Sequence, residues 1–209
     1  QHLPHLAVWD DRSFVVVWES DNQDGDNQGV YGQRFSANGT LDGTEFRVNQ
    51  QTAKRQMRPR VAVVPDGRVV VTWESEGQDG DDYGVYARTY AADGSAESDE
   101  FQVNVWTKKK QIEADVATWD DGSFVVTWAT EDRDGNNYGV SARVYEANAT
   151  PRSGELFVNT WTNSAQADPS VDTFPDGSFV IAWESNGVDG DNYGISSQRF
   201  HADGTKKYR

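Results

Sequence analysis

Four short acidic loops, and the aromatic residues beside them, are the residues of this chain best equipped for chemistry. The loops are Gln23-Asp24-Gly25-Asp26, Gln78-Asp79-Gly80-Asp81, Arg133-Asp134-Gly135-Asn136 and Val188-Asp189-Gly190-Asp191. Two residues later comes Gln28, Tyr83, Tyr138 or Tyr193, and then a glycine. A second set of polar junctions, Asn104-Val105-Trp106-Thr107 and Asn159-Thr160-Trp161-Thr162, carries an indole; the matching Asn49-Gln50-Gln51-Thr52 does not. Three chemistries suit the loops. Asp and Asn cap backbone amides and Gly takes positive φ, which shapes a tight turn. Clustered Asp and Asn oxygens near a Gly also suit a hard cation such as calcium, although the spacing is not that of an EF-hand. Carboxylates and amides accept hydrogen bonds from vicinal hydroxyls, while Tyr or Trp offers a flat apolar face to a sugar ring. The sugar reading is compatible with the turn role.

What positions these residues is a repeat. Trp18, Trp73, Trp128 and Trp183 recur every 55 residues, and so do Asn49, Asn104 and Asn159 and Gln56, Gln111 and Gln166. A fixed period of this size marks an array, solenoid or propeller whose units stack to bury their faces. Within each unit, Leu6 to Trp9 and its counterparts read as a first strand. Turns built on Asp10-Asp11-Arg12, Pro65-Asp66-Gly67, Asp120-Asp121-Gly122 and Pro175-Asp176-Gly177 follow. The second strand, Ser13 to Trp18 in the first unit, is β-branched and aromatic, with apolar residues on both faces. Such strands suit a small sheet sandwiched between neighbours. A third strand, Val30 to Phe35, and a fourth, Glu45 to Asn49, complete the unit, and no segment keeps a helical period. The expected fold is therefore all-β: one domain, a four-bladed β-propeller with four antiparallel strands per blade and repeats of roughly 1–50, 51–105, 106–160 and 161–209. The tail Lys207-Tyr208-Arg209 resembles Glu45-Phe46-Arg47 and is expected to pair with the sheet holding Leu6 to Trp9, latching the ring. An open array that joins through its ends is the competing arrangement. In both, the Asp-Gly loops and the junctions fall on the same rim.

Composition narrows the partners. The net charge is −15, from 19 Lys and Arg against 34 Asp and Glu, which disfavours nucleic acid and anionic membranes. No apolar run reaches a membrane-spanning length, and there is no cysteine. Asn38-Gly39-Thr40 fits the glycosylation acceptor pattern, and Asn148-Ala149-Thr150 fits it less well with Pro151 following. The start at Gln1 reads as a processed product or a fragment. His2, His5 and His201 neither repeat nor form a metal-spaced set, and no nucleophile elbow, phosphate loop or zinc motif is present. A catalytic site is usually single and asymmetric, whereas these polar residues recur, so no enzyme activity is expected. Trp18, Trp73, Trp128 and Trp183 are read as packing between units, and Trp9 and Trp119 as core. The third unit departs from the rest: it has Arg133 and Asn136, and lacks the glutamate found at Glu19, Glu74 and Glu184.

The strings Asp-Gly-Ser-Phe-Val-Val-Thr-Trp (121–128), Asp-Gly-Asn-Asn-Tyr-Gly-Val (134–140) and Phe-Val-Asn-Thr-Trp-Thr (157–162) resemble a repeat of large secreted bacterial adhesins of the RTX type. The resemblance spans essentially the whole chain and implies an extracellular β-structure with calcium as a candidate cofactor. The nonapeptide signature of RTX calcium rolls is absent. A free-standing array of such repeats is also similar, in architecture, to β-propeller lectins of marine invertebrates such as sponges. Together these features lead to the expectation of a secreted, multivalent carbohydrate-binding protein without a required cofactor, with glycans or glycoproteins as partners and homo-oligomerisation left open. The site expected is Asp24, Asp26, Asp79, Asp81, Tyr83, Trp106, Asp134, Asn136, Tyr138, Trp161, Asp189, Asp191 and Tyr193. The alternative is a structural or calcium-stabilised adhesin module with no small-molecule ligand.

Overall fold

Each repeat folds into its own sheet because its turns are locally encoded. The carboxylates of Asp11, Asp66, Asp121 and Asp176 each accept a hydrogen bond from the backbone N–H two residues on, at 2.9 to 3.1 Å. This side-chain turn reverses the chain between the first and second strands. The computed structural model describes residues 1–188 and 190–208. It contains β1 (His2–Val8), β2 (Phe14–Asp21), β3 (Gln28–Phe35) and β4 (Leu41–Arg47), followed by β5 (Gln56–Val63), β6 (Val69–Glu76), β7 (Tyr83–Tyr90) and β8 (Phe101–Gln102). Then come β9 (Gln111–Thr118), β10 (Phe124–Glu131), β11 (Tyr138–Tyr145) and β12 (Leu156–Phe157), and finally β13 (Gln166–Thr173), β14 (Phe179–Asn186), β15 (Tyr193–Phe200) and β16 (Lys206–Lys207). The strands form four antiparallel four-stranded sheets in sequential order, so the fold is a four-bladed β-propeller. The second strands run three residues past the predicted Trp ends. The fourth strands of blades 2, 3 and 4 shrink to two residues each.

The blades stack through three apolar seams built from the same repeat positions. Val15, Val17, Val30 and Val48 of blade 1 meet Val61, Val69, Val71 and Trp73 of blade 2. Val70, Val85 and Val103 meet Val116, Phe124, Val126 and Trp128 in the next seam. Val125, Val140 and Val158 meet Val171, Phe179, Ile181 and Trp183 in the third. Hence β6 and β10 are buried on both faces, whereas β14 alternates. Trp73 and Trp128 are fully buried and Trp183 nearly so, while Trp18 is only half-buried; Trp9 and Trp119 are core.

Among the described residues the expected latch is not formed; Arg209 of that tail lies outside them. Lys206 and Lys207 pair with Phe200 and Arg199 of β15, so the tail supplies the fourth strand of its own blade and does not join β1. The reason is local: the Ala202-Asp203-Gly204 turn folds the tail straight back, with Asp203 accepting from the Thr205 N–H at 2.9 Å. Among the described residues no core cluster joins blade 4 to blade 1. The outward faces of those two blades stay open, with Leu6 56%, Val8 54% and Ile195 77% exposed.

Candidate functional site

The Asp-Gly loops of blades 1, 2 and 3 are each tied to the junction leaving their own blade, and the knot is an asparagine. The side-chain Nδ2 of Asn49, Asn104 and Asn159 donates to Oδ2 of Asp24, Asp79 and Asp134 at 2.9, 2.9 and 3.2 Å. The same nitrogen donates to the carbonyls of Gln51, Trp106 and Trp161. The asparagine Oδ1 accepts from the backbone N–H of Val30, Val85 and Val140 at 2.7 to 2.8 Å. Below it, fully buried Gln56, Gln111 and Gln166 donate to junction carbonyls. The glycine of the first three motifs makes room for the acid: a Cβ on Gly84 or Gly139 would lie 2.7 Å from the carboxylate of Asp79 or Asp134. The second acid of the loop binds the junction as well. Asp26 and Asp81 accept from the backbone N–H of Lys54 and Lys109 at 2.9 Å, both in left-handed conformation. Asn136 caps its own loop, donating its N–H to Asp134. Asp191 accepts from Asn192 N–H, and Asp189 lies outside the described residues.

The turn-shaping role of these acids is therefore built into the rim. Trp106 and Trp161 are tied to the knotted asparagines through their backbone carbonyls. Trp161 is 42% exposed, and Trp106 is half-buried with the Lys108 ammonium 5.7 Å from its ring centre. Tyr193 is 65% exposed, whereas Tyr83 and Tyr138 are half-buried. Burial pushes the Tyr138 phenol up, reinforced by Glu131 and Glu113. Among the described residues, no three His, Cys, Asp or Glu side chains gather as a metal site.

A second locus was not singled out from the sequence. Near the start of every first strand a bulge breaks the register, and one residue of each bulge has positive φ: Leu3 (44°), Arg58 (51°), Glu113 (58°) and Asp168 (46°). Left-handed non-glycine residues are costly and persist where the surrounding structure over-determines them. These four, with His5, Arg60, Asp115 and Ser170 two residues on, line a cavity of about 450 Å³ on the propeller axis. Equivalent positions carry different chemistry, so the cavity is cationic towards blade 2 and acidic towards blades 3 and 4. Burial pushes the Glu113 carboxyl up. The His5 imidazole is held down by burial and by Arg60. Buried Glu74, behind the wall, is pushed up to about 7 by burial, opposed by the hydrogen bond from Glu113 N–H and by Arg58 at 3.5 Å. The bulge amides follow a rule with one exception. Glu19 accepts from Arg58 N–H and Glu74 from Glu113 N–H, but the third blade has Ala129 in that position. There Glu113 itself accepts from Asp168 N–H at 2.9 Å. The signal that could have found this locus is divergence within the repeat: framework columns are identical across units, while the 3/58/113/168 column is not.

The fold and these two loci define the class, a β-propeller with a knotted rim and a charged axial cavity. No protein-family model and no curated protein sequence matches the chain. Its likeness is to solved structures. An α-L-arabinofuranosidase of Fusarium graminearum, solved with arabinobiose, superposes with a TM-score of 0.62 at 12% identity, over 95% of this chain and 61% of its own. A Dyadobacter fermentans protein of unknown function gives 0.61 at 13%, over 88% and 50%, so the chain spans half its length. An endo-arabinase of Bacteroides thetaiotaomicron gives 0.56 at 11%, over 99% and 79%. At these identities the likeness is one of fold. It nonetheless corrects one expectation. Absence of enzyme activity was inferred from a repeated architecture, yet the same architecture carries glycoside hydrolases. The axial cavity here is also lined by non-equivalent side chains.

Proposed function

We propose that this protein is a secreted, multivalent carbohydrate-binding propeller of lectin type, which takes sugar on the junction rim. The observation that carries this reading is the knot: one asparagine holds an acidic loop and a Trp-bearing junction together, twice with an indole, at Trp106 and Trp161. Such a pairing offers acceptors for hydroxyls beside a face for the ring. Weak sites repeated on one rim would gain from avidity on a glycan surface. The solved carbohydrate-active neighbours and the resemblance to secreted adhesin repeats support the same reading. The acids are committed to the loops, so the aromatics make the better test. On a glycan array, Trp106→Ala/Trp161→Ala should lose binding while keeping its circular-dichroism spectrum. Undiminished binding by that folded variant would remove the rim from consideration.

The axial cavity favours a second reading, carbohydrate chemistry at a single site. Glu113, with its raised carboxyl, and exposed Asp168 lie side by side on neighbouring bulges. One would act as acid and the other as base or nucleophile across a glycosidic bond. Release of nitrophenol from aryl glycosides, lost in Glu113→Gln, would support this; no turnover of any aryl glycoside would dismiss it.

A further inference from the structure

The first and last blades expose the two halves of an interface that the molecule already makes three times. Going outward from blade 1, Leu6, Val8, Phe14, Val16 and Trp18 occupy the positions of Val61, Val63, Val69, Val71 and Trp73, which face blade 1 from blade 2. Going outward from blade 4, Val180, Ala182 and Ile195 occupy the positions of Val15, Val17 and Val30. Burial differs sharply between equivalents. Val30, Val85 and Val140 are 0% exposed, and Ile195, in the same position, is 77% exposed; Val61 is 3% exposed and Leu6 56%. The polar fastening is also duplicated and idle. Arg34 lies over the Trp9 ring and donates across the first seam to the carbonyls of Gly67 and Ala91. Arg199 lies in the same way over Phe174, 4.4 Å from its centre, but among the described residues it donates within its own blade, to Ser178.

We infer that these two faces bind each other between copies of this chain, blade 4 of one copy seating on blade 1 of the next in the register of the internal seams. The occupant is a second copy because both complementary surfaces are present on every molecule and their match is already realised at each internal junction. Arg199 would then reach the carbonyls of Arg12 and Ser36 of the second copy, the positions equivalent to Gly67 and Ala91. Contacts of this head-to-tail kind close into a ring where the curvature allows and otherwise extend.

The test is mass in solution by light scattering or sedimentation across a wide concentration range. Wild-type protein should rise from 23.3 kDa to twice that mass or more as concentration increases. Leu6→Asp and Ile195→Asp, both on exposed positions, should each stay at the monomer mass with an unchanged circular-dichroism spectrum. Leu41→Asp, equally exposed but on an outer strand, should assemble as wild type does. The decisive arm mixes the first two variants. Each retains one intact face, and these two faces are complementary, so the mixture should give a species of two chains and no larger. A wild-type mass fixed at one chain, assembly indifferent to both single substitutions, or a mixture that remains monomeric would each overturn the inference.

Discussion

Asn104 shows how much one side chain organises on this rim. It holds a backbone N–H, a carboxylate and a carbonyl of three different segments, in a site where it is 3% exposed. Asn104→Ala would strand the Val85 N–H in a dry environment, where an unmet donor costs about 1–3 kcal/mol. Urea unfolding should show a loss in that range or above it, because Asp79 also loses a partner. Glu74 makes a prediction of opposite character. Its carboxyl is raised from 4.5 to about 7 in the folded chain, so the folded state holds a proton that the unfolded state has released. The stability it contributes is present below about pH 4.5 and is lost as the pH rises towards 7, by on the order of 2 to 3 kcal/mol. Glu74→Gln should flatten that part of the stability–pH curve; an unchanged slope would assign the titration elsewhere. The acids and amides of the rim were legible in the sequence because they recur in register. What they touch was not, since the knot joins residues 25 apart through a turn whose path the spacing does not describe.

At the scale of strands, packing follows the repeat position and not the residue type. Ile181 is fully buried in the third seam, whereas Leu41 is 68% exposed on an outer strand. Ile181→Ala should cost about 2–5 kcal/mol and Leu41→Ala less than about 0.5 kcal/mol; similar losses for both would refute the seam. The strands themselves were readable: Phe124 to Trp128 is a run of β-branched and aromatic residues between clear turns, and it folds as read. The bulges were not readable. Arg58, Glu113 and Asp168 precede the first strands as read from sequence, which in the structure begin five residues earlier, and nothing in their residue types announces a left-handed backbone. Their conformation is imposed by the glutamate carboxylates that accept from the bulge N–H groups, a contact between neighbouring blades. The tail misled the reading because similarity to Glu45-Phe46-Arg47 says which strand it is, but not whose sheet it joins.

Across the whole molecule, stability should be graded. In a stacked array each unit is held by its neighbours, and here blades 2 and 3 have two while blades 1 and 4 have one. Amide hydrogen exchange on dilute protein should therefore find β6 and β10 most protected, with β2 and β14 opening at lower free energy. Uniform protection would mean that the four blades unfold as a single unit. The number of blades was plain from the period, whereas the open seam was not, because Leu6, Val8 and Ile195 are as apolar as their buried counterparts.

The axial column has a consequence for anyone rebuilding such an array from a single consensus unit. Rotation brings equivalent side chains towards one line, so a charged residue placed there once is placed there in every copy, and like charges at close range repel. The natural chain avoids this by letting Leu3, Arg58, Glu113 and Asp168, and the cavity-lining residues two positions on, differ while the tryptophan, asparagine and glutamine framework repeats. A uniform array carrying Arg or Glu in that column would work against its own assembly, and one carrying Leu would stack at the cost of the axial chemistry. Interchangeable units and a charged axis are competing demands, and this sequence meets both by keeping its framework constant and its centre diverse.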